Sequence, residues 1–214
     1  MDSKPRIFIA PPVENKPTPA MAPLNPSLRW DPPYEHGEIQ PEVTVFLAQP
    51  AYANLYIHAS SDPENEVGGI LVGQWCSNTS DESMFIVIEN ILRARYTRQS
   101  NVHLTFTKDS IVNFHHIVEQ RYANKQIVGW YHTHPRMGVF LSNYDTWLHD
   151  HFFPEPWQVA LVVEPHSCQG GFFIRQKNGV MDSSRYFGFY EMNGRLGRST
   201  IRWNNLICLQ DERE

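Results

Sequence analysis

The chain has 214 residues, of which 41% are hydrophobic and 19% are charged, and its formal net charge is −5. This composition supplies a hydrophobic core of ordinary size, and a mildly acidic chain lacks the dense cationic face that general nucleic-acid binding requires. No apolar run approaches the roughly 20 residues of a membrane span and the N-terminus has no apolar signal core, so we expect a cytoplasmic protein without membrane or nucleic-acid partners.

Residues 1–40 form a proline-rich segment, in which nine of the sixteen prolines fall within the first 33 positions. Proline lacks a backbone donor and fixes φ, so we predict that residues 11–33 form neither a helix nor an inner strand. A short strand at residues 6–10 fits the sequence. We interpret residues 1–40 as an extended or disordered arm; a plain tail is favoured over a docking peptide or a flap over the site.

The catalytic domain is predicted at residues 41–182. Val43, Val45 and Leu47 alternate as in a strand, and Pro50 then suits the first turn of a helix over 51–59. Two apolar, β-branched runs flank a turn-like segment, which predicts an antiparallel pair; the runs are 67–75 and 84–91.

The second half of this domain continues with alternating helices and strands. Val102, Leu104 and Phe106 alternate as in a strand, and Thr107 can cap a helix over 108–122. The apolar stripe of that helix is Ile111, Phe114, Val118 and Tyr122. The remaining predicted elements are a central strand at 127–131, a helix at 142–152, and strands at 157–163 and 171–175 that pair with each other.

Residues 183–214 are predicted to be a C-terminal extension packed on the core. Two strand-like runs, 186–191 and 200–209, flank Asn193-Gly194, a dipeptide typical of hairpin turns. The alternative is a helix in this position. Because strands and helices alternate without a strict βαβ rhythm, the sequence favours an α+β fold or a three-layer αβα sandwich.

Two histidines stand at the end of the predicted central strand. His132 and His134 are two residues apart, so a strand places both imidazoles on one face, while Thr133 points to the other face. Pro135 then ends the strand ladder. Two neutral imidazoles on one face are half of a zinc site, although an isolated His-x-His is a weak signal.

Asp145 is the candidate third ligand, at the start of the next predicted helix. Two histidines and one aspartate leave the fourth tetrahedral position to water, the pattern of a catalytic zinc site. Zinc would lower the pKa of that water from ~15.7 towards ~7. The alternative is that Ser142 and Asp145 form only a helix capping box.

Two further side chains are candidates for the chemistry. Glu66 ends a polar loop before a glycine-rich strand, and could take a proton from the water and deliver it to the leaving amine. Ser142 could stabilise negative charge on the carbonyl oxygen. The alternative for Glu66 is an ordinary loop carboxylate.

Three segments together carry a recognisable pattern: Glu66-Val-Gly-Gly-Ile-Leu-Val-Gly73, Trp130-Tyr-His-Thr-His-Pro135 and Leu141-Ser-x-x-Asp145. They resemble the JAMM motif of the MPN-plus family, which has an upstream Glu, then His-x-His-Pro and Ser-x-x-Asp, with seven residues between the second His and the Ser. All of these spacings hold here. The resemblance extends over roughly residues 43–180.

The resemblance implies an MPN fold, which is a cytidine-deaminase-like αβα fold with a curved mixed sheet flanked by helices. It implies a zinc isopeptidase or peptidase that cleaves after the C-terminal tail of ubiquitin or a ubiquitin-like protein, or acts on its conjugates. By resemblance, His132, His134 and Asp145 bind zinc, Glu66 is the acid and base, and Ser142 is the oxyanion residue. Thr133 replaces the usual Ser and should point away from the metal.

Other functions remain open beside this interpretation. One is a non-catalytic scaffold or binding module that retains zinc, and another is a hydrolase of sulfur-carrier proteins or small amides. The small size, the single core and the lack of an attached recognition domain favour a prokaryotic member of the family, encoded beside a ubiquitin-like conjugation system.

Several other residues have a predicted place. We expect His149 and His151 on the helix surface, because positions two apart on a helix face different ways. Residues 93–106 are a candidate strand for pairing with a substrate tail, or an ordinary strand with a solvated edge. Met137 and Trp147 either line the cleft or belong to the core.

The three cysteines, Cys76, Cys168 and Cys208, lie far apart and form no CxxC pair. This spacing indicates reduced thiols rather than a zinc ribbon or a disulfide framework. Cys168 is predicted to be a turn residue and not a ligand of a second zinc.

Overall fold

The structure is a computed structural model, and it describes residues 16–94, 106–192 and 198–209. The strands of the described residues are β1 (Thr18–Ala20), β2 (Ser27–Asp31), β3 (Thr44–Ala48), β4 (Gly68–Asn78), β5 (Met84–Arg93), β6 (Gln126–Thr133), β7 (Val159–Glu164), β8 (Gln169–Phe173), β9 (Phe189–Met192) and β10 (Ile207–Leu209). The helices are α1 (Gln49–Ala59), α2 (Lys108–Arg121) and α3 (Asn143–Phe152). None of these helices has the length and apolar character needed to cross a membrane.

All ten strands belong to one mixed sheet. Its order is β10-β2-β9-β3-β5-β4-β6-β7-β8. Strand β1 pairs with the C-terminal end of β4, at residues 76–78. Four pairs are parallel, namely β1–β4, β3–β5, β3–β9 and β6–β7. Register shifts around Val72 interrupt the pairing of β4 with both of its neighbours, and such bulges bend a sheet.

The helices cover both faces of the sheet. Helix α1 packs Ala51, Tyr52 and Leu55 into a core on one face. Helices α2 and α3 pack on the other face, where Phe114 and Leu148 belong to a second core. The predicted fold class, an α+β fold in which helices flank a mixed sheet, is confirmed.

The predicted helices begin where the sequence provides starting signals. Pro50 lies in the first turn of α1, and Thr107 caps α2 by accepting a hydrogen bond from Ser110 N at 3.1 Å. Phe114 and Val118 of the predicted stripe are buried. The antiparallel pairs β4–β5 and β7–β8 are also as predicted.

Strand β6 lies inside the sheet, antiparallel to β4 and parallel to β7. Every residue from Ile127 to Thr133 is buried. Gly129 is required here, because a Cβ at this position would lie 2.2 Å from Val159 O. The close approach of β6 to β7 fixes the strand that carries the two candidate histidine ligands.

The proline-rich segment departs from the sequence prediction at β2. This strand lies between β9 and β10, and Trp30 belongs to the core. The prediction that residues 11–33 form no inner strand is therefore wrong for Ser27–Asp31. Its physical reason is that Pro26 and Pro32 stand just outside the strand, so neither removes a ladder donor. The domain limits at residues 41 and 182 stay a prediction.

The C-terminal extension also departs from prediction. The expected hairpin between β9 and β10 is wrong, because both strands pair with β2, which lies between them. The alternative helix is absent from described residues 183–192 and 198–209. A buried hydrogen bond from Trp30 Nε1 to Glu191 Oε2 (3.1 Å) ties β2 to β9. The Asn193-Gly194 dipeptide and the predicted strand at 6–10 lie outside the described residues, as does the predicted strand at 102–106 except for Phe106.

Candidate metal centre

Three buried side chains converge at the end of β6. The ligand atoms of His132, His134 and Asp145 all lie within 4.8 Å of one another. His132 Nε2 lies 2.8 Å from His134 Nε2 and 3.3 Å from Asp145 Oδ1, and His134 Nε2 lies 3.5 Å from Asp145 Oδ2. The structure therefore brings together the three residues that the sequence singled out as ligands.

The strand geometry explains how the two histidines meet. Residues two apart on β6 project from one face, and the two rings pack edge to face with centroids 4.5 Å apart. His134 N donates to Val163 O at 2.9 Å, which extends the β6–β7 ladder past Thr133. Thr133 points to the other face as predicted, since its Oγ1 accepts from Val67 N at 2.9 Å.

The helix start explains how Asp145 reaches the histidines. Ser142 caps α3 by accepting from Asp145 N at 3.1 Å, and Asp145 Oδ2 accepts from Ser142 N at 2.7 Å. Burial alone would raise the pKa of the Asp145 carboxyl, but hydrogen bonds from His132, His134 and Ser142 outweigh it. The pKa of Asp145 is held well below its ordinary value, so the carboxylate stays ionised.

The donor set fits a zinc ion. With zinc–nitrogen distances of about 2.0–2.1 Å, two ligands of a tetrahedral site lie roughly 3.3 Å apart. The two nitrogen–oxygen separations, 3.3 and 3.5 Å, are close to this value, while the 2.8 Å between the two Nε2 atoms is shorter. Two imidazoles and one carboxylate are a donor set typical of catalytic rather than structural zinc sites.

Glu66 stands at the mouth of this cluster, directly before Val67 and β4. Gly68 pairs with His132, and continuing this antiparallel register places Glu66 opposite His134, on the face of both histidines. The backbone here is fixed, because Thr133 N donates to Val67 O at 2.8 Å. Glu66 itself is half-buried.

Sequence reasoning missed Glu164, a buried carboxylate that joins two loops at the mouth, the β6–α3 loop and the β7–β8 turn. It accepts hydrogen bonds from Arg136 N (3.0 Å), His166 N (2.9 Å) and Ser167 N (2.6 Å). Burial raises the pKa of Glu164, but the hydrogen bonds from Ser167, Arg136 and His166 lower it overall to about 2. A Glu-Pro pair directly after an apolar strand was the available signal.

The loop that leads to Glu66 is held by two of the same residues. The Arg136 guanidinium donates to the Glu64 carboxylate at 2.5 and 3.1 Å, on the protein surface. His166 Nε2 lies 2.7 Å from Pro63 O. Glu164 is therefore linked to the Glu66 loop by hydrogen bonds that pass through Arg136 and His166.

His149 lies in the interior, between helix α3 and strand β6. The prediction of a surface position is wrong, because His149 is fully buried and its Nδ1 accepts from Trp130 Nε1 at 3.0 Å. Helix α3 places His149 one turn after Asp145, on the face that packs against β6. Burial lowers the pKa of His149 to about 3, with a smaller contribution from Arg175. His151 is exposed, as predicted.

Three apolar side chains of the β6–α3 loop and helix α3 are partly exposed. Met137 and Trp147 are 46% and 47% exposed, so the alternative that they belong to the core is wrong. Phe140 contacts His134, with ring centroids 4.9 Å apart.

Cys168 lies in the turn between β7 and β8 with a φ of +52°, which confirms its assignment to a turn. The candidate strand for substrate pairing, 93–106, lies mostly outside the described residues.

Comparison with known proteins agrees with this geometry. The sequence model of the JAB1/Mov34/MPN/PAD-1 ubiquitin protease family matches residues 41–153, more than half of the chain. This match spans α1 to α3 and includes Glu66, the two histidines, Ser142 and Asp145.

Curated relatives are similar over shorter shares of their own length. COP9 signalosome complex subunit 5 of Candida glabrata is 29% identical over 157 residues, which are 70% of this chain and 33% of that protein. The same subunit of Dictyostelium discoideum is 28% identical over 123 residues, 56% of this chain and 36% of that protein. NAD(+) hydrolase TcpA of Theionarchaea archaeon is 34% identical over 79 residues, 36% of this chain and 24% of that protein. The chain thus spans between a quarter and about a third of these relatives.

Proposed function

The chain belongs to the JAB1/Mov34/MPN/PAD-1 ubiquitin protease family, and from this premise we propose that it is a zinc-dependent isopeptidase or peptidase. Its proposed substrates carry the C-terminal tail of ubiquitin or a ubiquitin-like protein, as a conjugate or a precursor. The observation that carries the proposal is the buried convergence of His132, His134 and Asp145. We also propose that the protein acts in the cytoplasm.

The three converging residues supply the donors for the ion. The imidazoles of His132 and His134 offer Nε2 atoms, and Asp145 offers an ionised carboxylate. When bound, zinc supplies a Lewis acid that polarises the scissile carbonyl and acidifies a water molecule. The protein keeps these donors buried, and a low dielectric strengthens the electrostatic interactions that stabilise the developing charge.

Glu66 is the proposed proton carrier. Its place at the mouth, in register with His134, puts a carboxylate beside the ligand cluster without making it a ligand. In the proposed reaction Glu66 accepts a proton from the attacking water and gives it to the departing amine. A lysine side chain as leaving group would make the reaction an isopeptide cleavage.

Ser142 is the proposed oxyanion residue. Its Oγ accepts the hydrogen bond of Asp145 N at 3.1 Å, and the hydroxyl still carries its own O–H. In the proposed reaction this O–H donates to the carbonyl oxygen as negative charge develops there. The cap thus positions one side chain for helix stability and for catalysis.

Two alternatives to this function make different predictions. A zinc-retaining scaffold would bind the metal and a ubiquitin-like partner but would not hydrolyse a bond. A sulfur-carrier or small-amide hydrolase would cleave its own substrates and ignore ubiquitin-like tails. The family match favours ubiquitin-type substrates over both alternatives.

The test is cleavage of a panel of fusions, each joining a ubiquitin-like protein or a sulfur-carrier protein to a fluorescent reporter. We expect release of the reporter from ubiquitin-like fusions, loss of release after chelation and recovery on adding zinc. Zinc binding without cleavage of any fusion would support the scaffold. Cleavage that is equal with and without chelator would contradict the proposed role of zinc.

A further inference from the structure

Strand β6 and helix α3 meet at two successive levels. On β6, Trp130 and His132 are two residues apart and share a face; on α3, Asp145 and His149 are four apart and share a face. The ligand level is His132 Nε2 with Asp145 Oδ1, 3.3 Å apart. The indole level is Trp130 Nε1 donating to His149 Nδ1 at 3.0 Å.

The indole level is fully enclosed, like the ligand His132 beside it. Trp130, His132 and His149 are each 0% exposed. A buried indole N–H normally needs an acceptor. Burying a second imidazole to supply that acceptor costs desolvation free energy. Core packing alone therefore does not explain why Trp130 and His149 are paired here.

The indole contacts the proposed ligand directly. The rings of Trp130 and His132 stack with centroids 4.7 Å apart and an interplanar angle of 11°. Phe153 stacks on Trp130 as well, at 5.9 Å and 13°. The His132 imidazole is therefore nearly parallel to the Trp130 indole, and the hydrogen bond to His149 holds that indole in place.

The hydrogen bond also defines the state of His149. Indole N–H is only a donor, so His149 Nδ1 must accept, and a neutral His149 carries its proton on Nε2. Burial keeps this imidazole neutral by lowering its pKa to about 3. A positively charged His149 would present a second donor to Trp130 and break the contact.

The orientation of His132 matters for metal binding. The lone pair of Nε2 lies in the plane of the imidazole, so rotation about the bond between Cβ and Cγ turns it away from the ion. A stacked neighbour with a fixed plane limits this rotation. Preorganised ligands bind metal more tightly, and outer partners of ligands commonly change affinity by about 10- to 100-fold.

We propose that Trp130 and His149 are positioning residues, which fix the His132 imidazole in the orientation that binds zinc. The inference rests on the proposed function, since it needs a zinc ion at His132. It adds a residue, His149, that acts on His132 through Trp130.

The test measures zinc affinity of the folded full-length chain by competition with a chromophoric chelator. His149→Leu removes the acceptor and is expected to weaken zinc binding by about 10- to 100-fold. In His149→Asn, Oδ1 can take the place of Nδ1, so affinity should stay within about threefold of wild type even though the smaller side chain lowers stability. His151→Leu, on the exposed face of the same helix, is the matched control and should bind zinc like wild type.

A double-mutant cycle separates positioning from general damage. Trp130→Phe keeps a stacking ring and removes the N–H, so it should weaken zinc binding about as much as His149→Leu. The two changes remove the same hydrogen bond, and the double variant should therefore lose no more than either single variant. Additive losses, or equal losses in His149→Asn and His149→Leu, would overturn the inference.

The outcome is distinct from a failure of the proposed function. If wild type binds zinc and cleaves, but His149→Leu binds zinc as tightly as wild type, the inference fails and the function stands. If wild type binds no zinc, the proposed function fails and the inference fails with it.

Discussion

Ser142 and Asp145 cap helix α3 reciprocally: Ser142 N donates to Asp145 Oδ2 at 2.7 Å, and Asp145 N donates to Ser142 Oγ at 3.1 Å. The same carboxylate reaches His132, with Oδ1 3.3 Å from Nε2. Helix capping and metal ligation are therefore compatible uses of one side chain. Because the cap fixes the rotamer of Asp145, the carboxylate is already directed at the histidines.

Substitution can separate the two roles of Ser142, as the cap of α3 and as the proposed oxyanion residue. Ser142→Ala should lower the free energy of unfolding by about 1 kcal/mol through loss of the cap, whereas Ser142→Gly should cost only a few tenths. Both lack the hydroxyl, so both should reduce cleavage by about 10²- to 10³-fold. Chemical denaturation and steady-state cleavage measure the two effects; near-normal cleavage by Ser142→Gly would remove Ser142 from the proposed mechanism.

Glu66→Gln tests the proton carrier. The amide cannot accept the proton of the attacking water, so cleavage should fall by about 10²- to 10⁴-fold. Zinc content should stay at the wild-type level, because Glu66 is not a proposed ligand. Glu119→Gln, an exposed carboxylate on helix α2, is the control and should cleave normally. A Glu66→Gln protein that holds zinc and cleaves at the wild-type rate would refute this role.

Glu164 should matter for stability more than its exposed neighbours do. Glu164→Ala removes three partly buried hydrogen bonds, from the N–H groups of Arg136, His166 and Ser167 to a carboxylate, and a hydrogen bond to a charged group is worth about 1.5–3 kcal/mol. We expect the free energy of unfolding to fall by at least about 2 kcal/mol. Arg136→Ala removes only an exposed ion pair and should leave stability nearly unchanged. Equal stability losses in the two variants would contradict this account.

The buried His149 predicts a pH dependence of stability. Its pKa is about 3 in the folded chain against an ordinary 6.5, so between these values the unfolded chain takes up a proton that the folded chain does not. Stability should therefore fall as the pH drops from about 6.5 towards 3, by up to about 1.4 kcal/mol per pH unit from this residue.

Denaturation of the zinc-free protein at pH 7, 6 and 5 measures this slope. His149→Asn should reduce it, and His58→Gln should do so independently, because burial lowers the pKa of His58 to about 4. Identical slopes in wild type and His149→Asn would show that His149 is not buried in its neutral form.

Local sequence signals predicted most of the fold. The alternation along residues 43–47, the apolar run at 127–131, the cap at Thr107 and the stripe at Phe114 and Val118 each reflect neighbours within a few residues. The two histidines on one face followed from the period of a strand. These features depend on local geometry, so they could be predicted from the sequence without knowledge of the tertiary structure.

Other features depend on contacts between distant residues. Whether Ser27–Asp31 joins the sheet is decided by its partners β9 and β10, more than 150 residues later in the chain. His149 is polar by type, and only the approach of α3 to Trp130 buries it. Glu164 gains its importance from the two loops that hydrogen-bond to it. The sequence contains no local pattern for such contacts.

The most direct test of the central claim is the zinc content of purified wild type and Asp145→Asn, measured by elemental analysis alongside cleavage of a ubiquitin-like fusion. Asn keeps an acceptor for Ser142 N and so preserves the cap, but it removes the charge that faces His132 and His134. We predict one zinc per wild-type chain with cleavage, and loss of both in a folded Asp145→Asn chain. Equal zinc and equal cleavage in the two proteins would contradict a zinc site at these three residues.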